Sequence, residues 1–87
     1  MPVVWIPSLL RELTGGQETV VVPGETVGQV IENLDQTFPG IKARLFQRDR
    51  LRPNLSLVVD GELSRRGLLH PVEENSEVRF ISAISGG

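Results

Sequence analysis

The chain has 87 residues, 39% of them apolar, which suits one small domain with a single core. It has no cysteine and one histidine, which excludes disulfides, an iron–sulfur cluster and a thiol nucleophile and argues against a zinc site. A net charge of -2 gives no electrostatic reason to expect nucleic acid, and no run approaches the roughly 18 apolar residues of a membrane span or forms a signal peptide, so a cytoplasmic protein is expected.

Val3-Val4-Trp5-Ile6 is a β-branched and aromatic run stopped by Pro7, and it reads as a first strand. A wide loop, Ser8 to Leu13, and turn residues Thr14 to Gln17 precede a second strand over residues 18–22, ended by Pro23-Gly24. Thr26 opens the clearest helix. Its hydroxyl suits an N-cap, and Gln29 three residues on completes a capping box. Val27, Val30, Ile31, Leu34 and Phe38 recur at helical spacing, and Pro39-Gly40 ends the run. Ile41, Leu45 and Phe46 suggest one further short helical turn or two.

Residues 55–59 form a third strand and Asp60-Gly61 a turn. Residues 64–72 read as a loop with Leu68 and Leu69 tucked beneath it, and residues 77–81 as the last strand after a turn at Asn75-Ser76. The order strand, strand, helix, strand, strand predicts an α+β domain spanning 1–87: a ubiquitin-like β-grasp, with a mixed sheet of four to five strands crossed by one main helix. The first and last strands should lie side by side and parallel.

Strand alternation sorts the side chains between two faces. Val4, Ile6, Val20, Val22, Leu57, Val59, Val78 and Phe80 are assigned to the core under the helix. Val3, Trp5, Val21, Val58 and Ile81 then point outward. An outward apolar patch with a tryptophan is a plausible docking surface, so Val3, Trp5, Val58 and Ile81, with Ser85 in the tail, are candidate partner-binding residues. The alternative is that loop 8–13 or a terminus covers Trp5.

The stretches "IPSLLRELTGGQ" (6–17), "PGETVGQVIENLDQTFPGIKARL" (23–45), "LSLVVDGE" (55–62) and "EVRFISAISGG" (77–87) carry a resemblance that runs nearly end to end. The chain resembles the ubiquitin-like sulfur-carrier family that includes the molybdopterin synthase small subunit and the thiamine-biosynthesis carrier. Its opening stretch looks most like the members that supply sulfur for cysteine synthesis. Two departures stand out: Ser82 near a position where the family often has proline, and Glu74-Asn75-Ser76 where an acidic-Gly turn is common.

The resemblance implies a carrier rather than an enzyme, with the C-terminal carboxylate of Gly87 as the reactive group and Gly86 beside it. An E1-like adenylating and sulfurtransferase partner would join that carboxylate to AMP from ATP. Sulfur would then replace the adenylate, and a sulfur-accepting synthase would consume the resulting thiocarboxylate. No cofactor is bound by the chain itself, neither nucleic acid nor membrane is expected as a partner, and the free protein is expected to be a monomer. Glycine suits a narrow channel because it has no Cβ. An extended, flexible tail over 83–87 would reach roughly 16 Å beyond the sheet at about 3.3 Å per residue. The other functions to separate are a small molybdopterin synthase subunit, a modifier conjugated to lysines and a plain binding module.

The remaining signals read as structural. Lys42, Arg44, Arg48, Arg50 and Arg52 form a basic stretch read as a solvated loop, as does Arg65-Arg66, although the stretch could meet acidic groups on an adenylating enzyme. His70 has no nucleophile and carboxylate in a recognised arrangement, Glu73-Glu74 are solvated, and no Walker-type lysine follows Gly15-Gly16.

Overall fold

The computed structural model describes residues 1–82. Strand β1 (Val3–Trp5) leads through a 3-10 helix (Ser8–Thr14) to β2 (Thr19–Val21). Helix α1 (Val27–Thr37) and helix α2 (Ile41–Leu45) follow, then a small hairpin of β3 (Phe46–Gln47) and β4 (Arg50–Leu51). Strands β5 (Leu55–Val59) and β6 (Glu62–Leu63), a 3-10 turn (Gly67–Leu69) and β7 (Glu77–Ser82) complete the order. The main sheet has five strands in the order β2-β1-β7-β5-β6. β1 and β7 are parallel at its centre, and the other pairs are antiparallel, as a β-grasp requires.

The apolar stripe of α1 explains its position. Val27, Val30, Ile31 and Leu34 are fully buried and share one core with Val4, Ile6, Leu57, Val59, Val78 and Phe80 from the sheet. Val22 belongs to the same core, whereas Val20 is only half-buried because β2 is an edge strand. The helix start follows its sequence signal with one shift. Thr26 Oγ1 accepts from the Gln29 N–H at 3.1 Å, but the Gln29 side chain accepts from the Glu25 N–H at 2.9 Å, one residue earlier than a reciprocal box would have it. At the other end Asp35 accepts from the N–H groups of Gly40 (3.1 Å) and Lys42 (2.9 Å), which ties α2 to α1.

Three expectations are corrected. Residues 8–13 are not a wide loop but most of a 3-10 helix that buries Leu10 and Thr14, so this segment closes one end of the core. Leu68 is half-buried against the core, but Leu69 is 78% exposed: a short 3-10 turn cannot aim two successive leucines inward. The basic stretch contains the β3–β4 hairpin, whose turn residues Arg48 and Asp49 have φ of 53° and 62°.

The Asp60-Gly61 turn does more than reverse the chain. The Asp60 carboxylate accepts from Ser76 Oγ and from the Glu77 N–H, both at 2.8 Å, while Ser76 Oγ accepts from the Glu73 N–H at 2.8 Å. Ser76 is buried, so this knot fixes where β7 begins and hence its register.

Candidate functional site

Gly87, Gly86 and Ser85 lie outside the described residues, so the site is built from what leads to them. β7 runs to Ser82, which pairs with Leu55 on β5. The face of the sheet away from α1 carries the expected residues. Register places Trp5 beside Arg79 and Arg79 beside Val58, with Thr19 and Leu63 extending the row to the two edge strands. Val3 lies between Val21 and Glu77, and Ile81 lies beside Ser56. Val21, Leu63 and Ile81 are at least half exposed, whereas Val3, Trp5 and Val58 are half-buried.

Trp5 is thus partly exposed on the outer face, and a cover on it comes from the neighbouring strand. The guanidinium carbon of Arg79 sits 3.9 Å from the ring centre, a cation–π contact. Glu77 Oε1 accepts from the indole N–H at 3.1 Å and from Arg79 Nη2 at 3.0 Å. The three side chains form one interlocked cluster on the outer face.

Leu9 was not singled out in the sequence. It is 81% exposed and stands at the base of the tail between two hollows that both reach Ser82. One, of about 390 Å³, is lined by Trp5, Arg11, Arg79 and Ile81; the other by Arg44, Arg52 and Leu55. Its signal was the pair Leu9-Leu10, which a helical turn cannot bury together: Leu10 goes inward and Leu9 outward. The point where residues 83–87 continue is therefore ringed by apolar side chains and four arginines.

The basic stretch is not uniform. The Lys42 ammonium contacts Glu32 and lies 3.8 Å from Asp49; the hydrogen bond to Glu32 raises its pKa above the ordinary 10.5, against partial desolvation. Arg52 donates to the Ala43 carbonyl at 2.9 and 2.6 Å. His70 Nδ1 lies 2.7 Å from Ser64 Oγ, and Ser64 Oγ accepts from the Arg66 N–H at 3.2 Å, so the pair holds the 64–70 segment together. Glu74 is solvated but pairs with the Met1 amino group at 2.7 Å, and that hydrogen bond lowers its pKa. Among the described residues no helix is long and apolar enough to cross a membrane.

Comparison with known proteins matches this architecture from end to end. The sulfur carrier protein CysO of Mycobacterium tuberculosis is 34% identical over 89 residues, covering 97% of this chain and 96% of its own. Its crystal structure superposes with a TM-score of 0.90, at 31% identity over 97% of this chain and 100% of that one. A chain of the Amycolatopsis orientalis BexX/CysO complex gives a TM-score of 0.91, with 32% identity and full coverage of both chains. The small archaeal modifier protein SAMP1 of Haloferax volcanii gives 0.72, with 26% identity over 99% of this chain and 98% of its own. With the ThiS family profile matching residues 4–87, the chain belongs to the ThiS family.

Proposed function

We propose that this protein is a sulfur carrier, a protein cosubstrate whose working group is the carboxyl of Gly87. The observation that carries this reading is the end-to-end similarity to the sulfur carrier protein CysO, with the family match running through Gly86 and Gly87. Residues 1–82 serve as the handle, and residues 83–87 are the arm that enters partner active sites.

A carboxylate is a poor electrophile because its charge is delocalised and it has no leaving group. In the proposed cycle an ATP-using, E1-like partner joins a Gly87 carboxylate oxygen to the α-phosphorus of ATP and releases pyrophosphate. A sulfur nucleophile attacks the acyl carbon, AMP departs, and a thiocarboxylate remains. A second enzyme passes that sulfur to its acceptor, and water attacking the acyl carbon supplies the oxygen that restores the carboxylate. Cysteine synthesis is the favoured destination, because the similarity is to CysO; a molybdopterin synthase subunit is the alternative. Acyl adenylates hydrolyse, so the partner must exclude water around the tail. Gly86 and Gly87 suit a narrow channel for that purpose.

The outer sheet face with Val3, Trp5, Val58 and Ile81, joined by Leu9, is the proposed docking surface, with Ser85 leading into the channel. The Amycolatopsis CysO in complex with BexX supports the idea that a carrier of this fold works while seated on a partner. A second reading, conjugation to lysines of target proteins, is favoured by the likeness to SAMP1. Intact-mass analysis after incubation with ATP, the adenylating partner and sulfide separates the two. Replacement of one oxygen by sulfur supports the carrier, and isopeptide-linked species of higher mass support the modifier.

A further inference from the structure

Charge is strongly segregated along this chain. Seven of its nine basic residues lie between Lys42 and Arg66, with three acidic residues among them; the rest of the chain holds two basic and eight acidic residues. The fold gathers part of the basic segment around one open cleft of about 690 Å³. Arg50 of β4 and Arg65 and Arg66 from the connection after β6 all line it. Leu51 and Leu68 are half-buried within it, and the exposed Leu69 stands at its rim. The one carboxylate in the lining, Asp49, lies 3.8 Å from Lys42. Among the described residues, none of Arg48, Arg50, Arg65 and Arg66 forms an ion pair.

Like charges gathered without counter-charges repel one another, and a purely structural role would pair them. We infer that the cleft receives an acidic segment of a partner protein, its carboxylates on Arg50, Arg65 and Arg66 and an apolar side chain against Leu51, Leu68 and Leu69. Arginine clusters are the usual readers of acidic motifs because each guanidinium holds a carboxylate with two parallel hydrogen bonds. A protein segment suits the cleft better than a nucleic acid. No aromatic ring lines it for base stacking. The position suits a carrier as well. Arg44 and Arg52, which line the hollow that reaches Ser82, belong to the same basic segment. This rests on the reading of the chain as a carrier received by partners only for its biological setting.

The test is an amide-shift titration at low salt with a synthetic peptide of glutamates and two leucines, and with the same peptide carrying glutamine for glutamate. The expected result is saturable shifts confined to residues 48–52 and 63–69. Binding should weaken by on the order of tenfold when Arg50 and Arg65 are both changed to Glu, or when salt shortens the Debye length to a few ångströms. Both residues are exposed, so the variant should keep its dispersed spectrum; Arg50→Gln with Arg65→Gln gives a milder second variant with a smaller loss. Equal binding of the glutamine peptide, no saturable shifts, insensitivity to both variants, or tighter binding of pyrophosphate or an oligonucleotide at the same amides would overturn it. The peptide does not involve the tail, so failure here leaves thiocarboxylate formation untouched, and failure of thiocarboxylate formation leaves this titration untouched.

Discussion

The guanidinium carbon of Arg79 sits over Trp5, 3.9 Å from the ring centre, because parallel pairing of β1 with β7 makes the two residues direct neighbours. Glu77 then accepts from both. Arg79→Met should therefore cost about 0.5–1 kcal/mol of stability and leave the indole more open. Urea denaturation and iodide quenching of the single tryptophan measure the two effects. Unchanged quenching would show that Arg79 does not cover the ring in solution.

For recognition, Trp5→Ala should weaken binding to the adenylating partner by more than about 1 kcal/mol. Titration calorimetry with native and variant carrier measures this. The same loss at Leu9→Ala would place the base of the tail inside the interface. Undiminished affinity in both variants would move the docking surface elsewhere.

Gly24 is a position where a side chain has no room. Its φ is 154°, and a Cβ there would lie 2.7 Å from Val30 Cγ2 and 2.8 Å from the Val30 backbone nitrogen. The first turn of α1 cannot yield without losing its cap, so Gly24→Ala should cost about 1–3 kcal/mol. Val30→Asp should go further and unfold the domain, because Val30 is fully buried and the carboxylate would have no partner. A native-like amide spectrum for Val30→Asp would mean that the helix is packed in another phase.

Much of this fold was legible in the sequence, for a physical reason that also marks what was not. Alternation over Val4 and Ile6, Leu57 and Val59, and Val78 and Phe80 forces one face inward, so the core set and the outward position of Trp5 follow from the pleat. Thr26 and Pro39-Gly40 bracket α1 through local backbone chemistry. The β3–β4 hairpin was not legible: its strands are two residues long, and its turn uses Arg48 and Asp49 at positive φ where glycine or asparagine would be the signal. Nor was the cover on Trp5, since Arg79 is 74 residues away in the chain and only the strand register brings it there. The meeting of Arg65-Arg66 with Arg50 in one cleft depends on tertiary closure in the same way.

Lys42 can be followed in alkaline solution by comparison with a variant, because it is the only lysine and the chain has no tyrosine or cysteine. Its pKa is raised above 10.5 chiefly by the hydrogen bond to Glu32. The bond's contribution is therefore fully present below the unfolded lysine value and disappears as pH rises through the folded one. The difference in melting temperature between native protein and Lys42→Met should be constant from pH 7 to about 10 and shrink above that. A difference that persists undiminished at higher pH would mean that the Lys42 stem, not its charge, holds the contact.

The most direct test of the carrier reading is the mass of the intact protein after reaction with ATP, the adenylating partner and sulfide, compared with a variant lacking Gly87. The native chain is expected to exchange one oxygen for sulfur. The truncated chain should melt at the same temperature yet remain unmodified and support no ATP–pyrophosphate exchange. Full exchange and sulfur incorporation in the truncated chain, or none in the native one, would contradict a working group at Gly87.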